Sequence, residues 1–366
     1  MATNQKCRNC TDPNCADCVS VRDGTISRRQ FFKQAACGGL ALTGAGALLS
    51  ACAPATPGDG PEPGAQVAEA RDEQATQSPK GTTAPSYALP TEDGLWRPPV
   101  AHAGDLPAGT ADVEIKGIGT FPFEAEQIQT QRPDIFQPGH FSIFDVVAHL
   151  GERGDIKLES HFDEKMGTHV IDGIDGQTGW WHQAYYSRGW LEQNAFRMDM
   201  VPYKNGTQIR LFVEQEQRLA AIYQSFEEEV TRLADRGGEV IIPELRIQAP
   251  GADHVFKQVV ATPHDVRTDV LQPGVVTALD ALLSLAEEGK LSNIVLTWYE
   301  RIAGADPVDS YWVERMDEAR ASGGCGFVYE TGSLRFPGFS GSHIHIPADV
   351  RVTVSPEYAL WFWICL

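Results

Sequence analysis

The chain has 366 residues, room for two domains, and 42% of them are hydrophobic, enough to bury a sizeable core. Its formal charge is −19, unevenly spread: residues 1–51 hold six Lys or Arg against three Asp or Glu, which leaves −22 on residues 52–366. A body this acidic, with no compact Lys/Arg stripe, repels a phosphate backbone and excludes nucleic acid as an expected partner.

The first feature along the chain is CRNCTDPNCADC, residues 7–18. Cys7, Cys10, Cys15 and Cys18 are spaced C-x2-C-x4-C-x2-C, compatible with tetrahedral thiolate coordination of zinc or with an iron–sulfur cluster. An N-terminal region that binds no metal is the other reading. Ser27 to Lys33 then reads SRRQFFK, and Ala35 to Ala51 follows without a charge. That run is too short and too rich in Gly and Ala for a permanent span, which needs about 20 strongly apolar residues, and it reads as a signal h-region.

The pair Arg28-Arg29 within SRRQFFK resembles the bacterial twin-arginine export motif, and Leu49-Ser50-Ala51-Cys52 resembles the lipobox of bacterial lipoproteins. These resemblances imply passage through the twin-arginine translocase, a diacylglyceryl group on Cys52, cleavage just before it, and acylation of the new N-terminus. Two or three acyl chains at about 0.8 kcal/mol per buried methylene hold a protein on a lipid bilayer stably. The expected location is extracytoplasmic and membrane-anchored: the periplasmic face, or the outer membrane or surface of a bacterium. The four early cysteines then stay cytosolic, so zinc or iron–sulfur there concerns the precursor only.

Residues 52–100 are dense in Pro, Gly, Ala, Thr and acids, and such a stretch buries too little apolar surface to offset chain ordering. A disordered tether is expected, with a mean reach on the order of 40 Å for about 45 residues.

Beyond it the chain repeats itself. Residues 136–154 read FQPGHFSIFDVVAHLGERG and residues 271–289 read LQPGVVTALDALLSLAEEG, matching at a constant offset of 135. In each copy a Pro-Gly turn leads to a helix capped by Ser142 or Thr277, with Asp145 or Asp280 three residues on, as in a capping box. Apolar residues follow at helical spacing, Ile143, Val146, Val147 and Leu150 in one copy and Leu279, Leu282, Leu283 and Ala286 in the other. Gly154 and Gly289 sit where a left-handed cap belongs. Strands are expected at ADVEIKGIG, THVIDGID, WWHQAYY and IRLFVEQ in the first unit, and at EVIIPELRIQA, NIVLTWYERI, GFVYE and the closing DVRVTVSPEYALWFWICL in the second. Between them Leu219, Ile222, Phe226, Val230 and Leu233 form one stripe of a connecting helix stopped at Gly237.

The helix FSIFDVVAHLGERG, then THVIDGIDGQTGWWHQAYY, then NGTQIRLFVEQ resembles the transcobalamin-like C-terminal domain family, a small β-grasp-like module of unknown function. Ile171, Ile174, Gly176, Trp181 and Tyr185 occupy the places of that family's turn-and-strand pattern. The likeness covers about residues 112–213. The second copy keeps the helix and departs after it, with VDSYWVERMDE and GGCGFVYETGS in place of the Gly-Trp-Trp segment. The expected class is α+β: two tandem β-grasp-like units, 101–213 and 239–366, joined by a helix over 214–238 and preceded by a signal (1–51) and a lipidated linker (52–100).

No G-x-S-x-G elbow, phosphate-cradling glycine loop or H-E-x-x-H is present in the sequence. Trp180, Trp181, His182, Tyr185, Tyr186 and Trp190 make the densest aromatic stretch, one face of which is expected to meet a protein partner or a small ligand. His343 and His345 alternate on an expected strand and are candidate metal ligands, as is the group His161, Asp163, Glu164 and His169. Cys325 and Cys365 are the thiols left in an oxidising compartment, where a disulfide is permitted. The expected function is a lipid-anchored binding or accessory protein without its own catalytic centre. A metal- or redox-cofactor subunit of a membrane-associated oxidoreductase is the alternative, and the family resemblance adds a third, capture of a corrinoid or tetrapyrrole.

Overall fold

The computed structural model describes residues 87–89, 104–186, 195–301, 308–336 and 346–365. Arg28, Arg29, the four early cysteines, Cys52, Trp190, His343 and His345 lie outside the described residues, as do the side chains of Tyr185 and Tyr186. The described residues all belong to one compact unit. No helix among the described residues is long and apolar enough to cross a membrane.

The first described element, β1 (Tyr87–Leu89), is a three-residue strand inside the stretch expected to be tether. The first half then runs β2 (Thr110–Ile115), β3 (Gly119–Glu124), α1 (Ile143–Arg153), β4 (Leu158–Asp163), β5 (Thr168–Ile174), β6 (Trp180–Tyr186) and β7 (Thr207–Val213). Helix α2 (Glu216–Asp235) leads into the second half: β8 (Val240–Ala249), β9 (Ala252–Ala261), α3 (Ala278–Glu287), β10 (Ile294–Tyr299), β11 (Ser310–Met316), β12 (Ala319–Arg320), β13 (Cys325–Gly332) and β14 (Tyr358–Cys365). The class is α+β.

Both halves have one strand order. The first sheet is β3-β2-β7-β6 and the second β9-β8-β14-β13, each with a parallel central pair flanked by antiparallel neighbours. Each half adds a hairpin, β4–β5 or β10–β11, with a register shift at the equivalent step, Glu159/Ser160 and Val295/Leu296. The segment SYWVERM, expected as a departure from the repeat, therefore stands where THVIDGI stands in the first half.

The helices form where capping and periodicity place them. The Ser142 N–H donates to Asp145 Oδ2 at 2.7 Å while the Asp145 N–H donates to Ser142 Oγ at 3.2 Å. The Thr277 N–H and hydroxyl both donate to Asp280 Oδ2, at 2.6 and 2.8 Å. Gly154 and Gly289 turn left-handed, with φ of 82° and 69°. Ile143, Val146, Val147 and Leu150 enter the first core, and Leu279, Leu282 and Leu283 the second.

Polar braces are also repeated. Arg132 bonds Asp134 and, through Nη1 at 2.9 Å, the buried Asp199; Arg267 bonds Asp269 and, through Nη1 at 2.9 Å, the buried Asp349. Thr168 and Ser310 each donate a hydroxyl at 2.6 Å to the same two carboxylates. Burial alone would raise the Asp199 carboxyl, but His169, Arg132 and Thr168 outweigh it and hold it below the usual carboxylate range.

The halves meet at equivalent residues. Phe136 pairs with Leu271, the Gln137 N–H donates to Val270 O at 2.9 Å, and the Gln272 N–H returns the bond to Ile135 O at 2.8 Å. Ile135, Phe136 and Met200 pack there against Val270, Leu271, Val350 and Val352. A contact in which like faces like is the signature of two-fold pairing, here within one chain.

Candidate functional site

The first three residues of the aromatic strand β6 are buried. Trp180 is 1% exposed in the first core, its Nε1–H donating to Gln177 O at 2.7 Å. On the opposite face Trp181 is 5% exposed, packed with Tyr223 and Phe226 of α2. His182 is fully enclosed between Trp181 and Phe196. Of the residues expected to meet a partner, Trp180 and His182 are thus buried and Trp181 lies under the chain's own connecting helix. Arg197 fastens that helix, pairing with Glu229, donating to Met166 O at 2.8 Å and lying 4.4 Å over the Phe226 ring.

His182 is neutral where it sits. Neither ring nitrogen has a hydrogen-bond partner among the described residues, and burial drives its pKa down to about 3. The histidines of the first hairpin do not converge: His161 bonds Asp172 at 2.8 Å, while His169 bonds Asp199 at 3.0 Å. No group of three His, Cys, Asp or Glu among the described residues is arranged to hold a metal ion. Cys325 and Cys365 face each other across β13 and β14 and are joined by a disulfide.

Residues that the two halves share make the frame, so places where they differ are where a site is sought. One such place adjoins the junction of the halves. His140 stands at the repeat position of Val275, and Lys204 stands at that of Val354 when Ser142–Pro202 is laid over Thr277–Val352. These two, with Asp105, Arg267 and Asp309, give charged groups to a crevice of about 30 Å³ whose walls are mostly apolar, with Pro202, Val270 and Val350 among them. A Lys204-Asn205-Gly206-Thr207 turn positions the lysine: Gly206 takes φ 82° and the Thr207 N–H returns to Lys204 O at 3.0 Å. That turn opens β7.

The Lys204 ammonium donates to the Val308 carbonyl. The residue as a whole is half-buried, yet its nitrogen is enclosed, and it is the nitrogen's surroundings that govern titration. Burial, with Arg267 nearby, pushes Lys204 down to about 7 against the opposing pull of Asp349 and Asp309. Burial also lowers His140 and raises the Asp309 carboxyl. Arg267, held by Asp269 and Asp349, donates to Asp309 O at 3.0 Å, and the Gly104 N–H donates to Asp269 Oδ2 at 3.1 Å. The crevice has room for ordered water or the tip of one polar group, not for a planar ring.

His140, Lys204 and the Arg267 brace were not singled out from the sequence. Arg132-x-Asp134 and Arg267-x-Asp269 extend the repeat by four residues and were there to be found; Lys204 carries no local signal. No protein family, characterised protein or solved structure matches the chain.

Proposed function

We propose that the chain is an extracytoplasmic, lipid-anchored binding or accessory protein, built as two tandem β-grasp-like units on a tether, with no catalytic centre of its own. The observation that carries this reading is the abutment of SRRQFFK, an uncharged run and LSAC at the spacing an exported lipoprotein needs. Two features support it. Each half has a four-stranded mixed sheet with one helix, the layout the β-grasp resemblance implies. The buried carboxylates Asp199 and Asp349 are each held by an arginine in a brace that recurs in both halves, as befits a scaffold.

With Trp180, Trp181 and His182 buried, binding belongs at the outer surfaces, above all the hairpin edges. The protein purified from native membranes is to be assayed for bound metal and for visible absorption. Colourless, metal-free protein that co-purifies stoichiometrically with a membrane complex is the expected result. Stoichiometric iron, copper or zinc would favour a redox subunit instead, and a corrinoid band would favour capture of that ligand.

A further inference from the structure

Strand β10, IVLTWY, lies at the outside of its hairpin and carries no charge. Along it β1 is paired antiparallel, Tyr87 opposite Leu296, Ala88 opposite Val295 and Leu89 opposite Ile294. The equivalent strand of the first half, β4, reads LESHFD and among the described residues pairs with β5 alone. The contrast has a physical reason. Charged side chains on an edge discourage a further strand, and β4 carries Glu159 and Asp163 beside His161. An apolar edge invites one, and the chain supplies it from its own N-terminal segment.

That cover is weak by construction. It is three residues long, with Pro85 before it and Pro90 after it in sequence, and proline brings no N–H to a ladder. Its middle residue is Ala88, a poor strand former. Such a segment stays in place chiefly because it is tethered, at an effective concentration in the millimolar range.

We propose that the outer edge of β10 is a strand-addition site for an extended, proline-free segment of a partner protein with alternating apolar residues, and that Tyr87–Leu89 is the in-cis strand it displaces. The proposal rests on the accessory-protein reading for the compartment of that partner. Main-chain bonds supply affinity in this mode, and alternate side-chain positions supply selectivity. The in-cis strand sets a threshold that only a better-pairing segment passes. Glu318, almost fully exposed after β11, and the −22 of the body favour Lys or Arg on the partner's outward positions.

The probe is a fluorescent synthetic peptide of residues 83–94 carrying Pro85→Thr, Ala88→Val and Pro90→Thr, titrated into the full-length protein by anisotropy. Binding is expected, and it should tighten about ten-fold when the protein carries Tyr87→Gly, Ala88→Pro and Leu89→Gly, which remove the competing strand. A second readout places the site: a peptide with a cysteine at the Ala88 position, activated as its 2-pyridyl disulfide, should exchange with a Val295→Cys protein to give the mixed disulfide and release pyridine-2-thione, and should not do so with a Glu159→Cys protein. Equal affinity for both forms of the protein, no binding to either, or equal capture at β4 would overturn the proposal. None of these outcomes touches the lipid anchor, which is tested separately by mass.

Discussion

His182 shows what a single buried side chain costs this fold. Its imidazole is enclosed without a hydrogen-bond partner among the described residues, and an unsatisfied buried polar group costs about 1–3 kcal/mol. His182→Phe should therefore raise the urea midpoint at neutral pH. The effect should grow in acid: the folded pKa of about 3 lies below the unfolded value of 6.5, so the unfolded chain takes up the proton first and wild-type stability falls from pH 6.5 towards 3. Urea midpoints of both proteins at pH 7 and pH 5 check this, and a variant that tracks wild type at both would refute it. Lys204 acts with the same sign in an alkaline window. Its folded pKa of about 7 against 10.5 unfolded makes stability rise with pH between those values, and Lys204→Met should flatten that slope in a denaturant series at pH 7, 8.5 and 10. Neither residue announced its role in sequence, because enclosure is a property of what packs around a side chain: WWHQAYY reads equally well as core and as open surface.

Among the elements, the helices were legible and six of the fourteen described strands were not. Capping boxes and apolar spacing lie within a dozen residues, so α1 and α3 could be placed from local pattern. Strands β4 and β9 could not: LESHFD and ADHVFKQVVA put charges and histidines on outward positions, and their alternation is blurred. The stripe on α2 foretold a packed helix but not its target, which proved to be the aromatic strand itself. Where α1 passes β4 the approach is close enough to demand glycine. A Cβ on Gly151 would lie 2.8 Å from the Leu158 Cβ, so Gly151→Ala should destabilise the protein by about 1–3 kcal/mol, measured by chemical denaturation. A neutral result there would mean that the helix and hairpin can slide apart.

Taken whole, the described chain is a pair of like halves meeting through Phe136 and Leu271, with Gln137 and Gln272 exchanging bonds across the junction. The repeat at offset 135 showed two copies; it did not show that they face each other, since that depends on which surfaces remain apolar once each sheet has its helix. The Cys325–Cys365 disulfide closes a span of 40 residues in the second half. Replacing both cysteines by serine should cost about 4 kcal/mol by loop-closure entropy, read as a lower denaturant midpoint. Such a bond belongs to an oxidising compartment, as the proposed export and acylation of Cys52 require. The most direct test is the intact mass of the protein extracted with detergent from the membranes of its native cell. A polypeptide beginning at Cys52 and heavier than its sequence by two or three acyl chains is expected; a soluble protein beginning at Met1 with no added mass would refute export and anchoring alike.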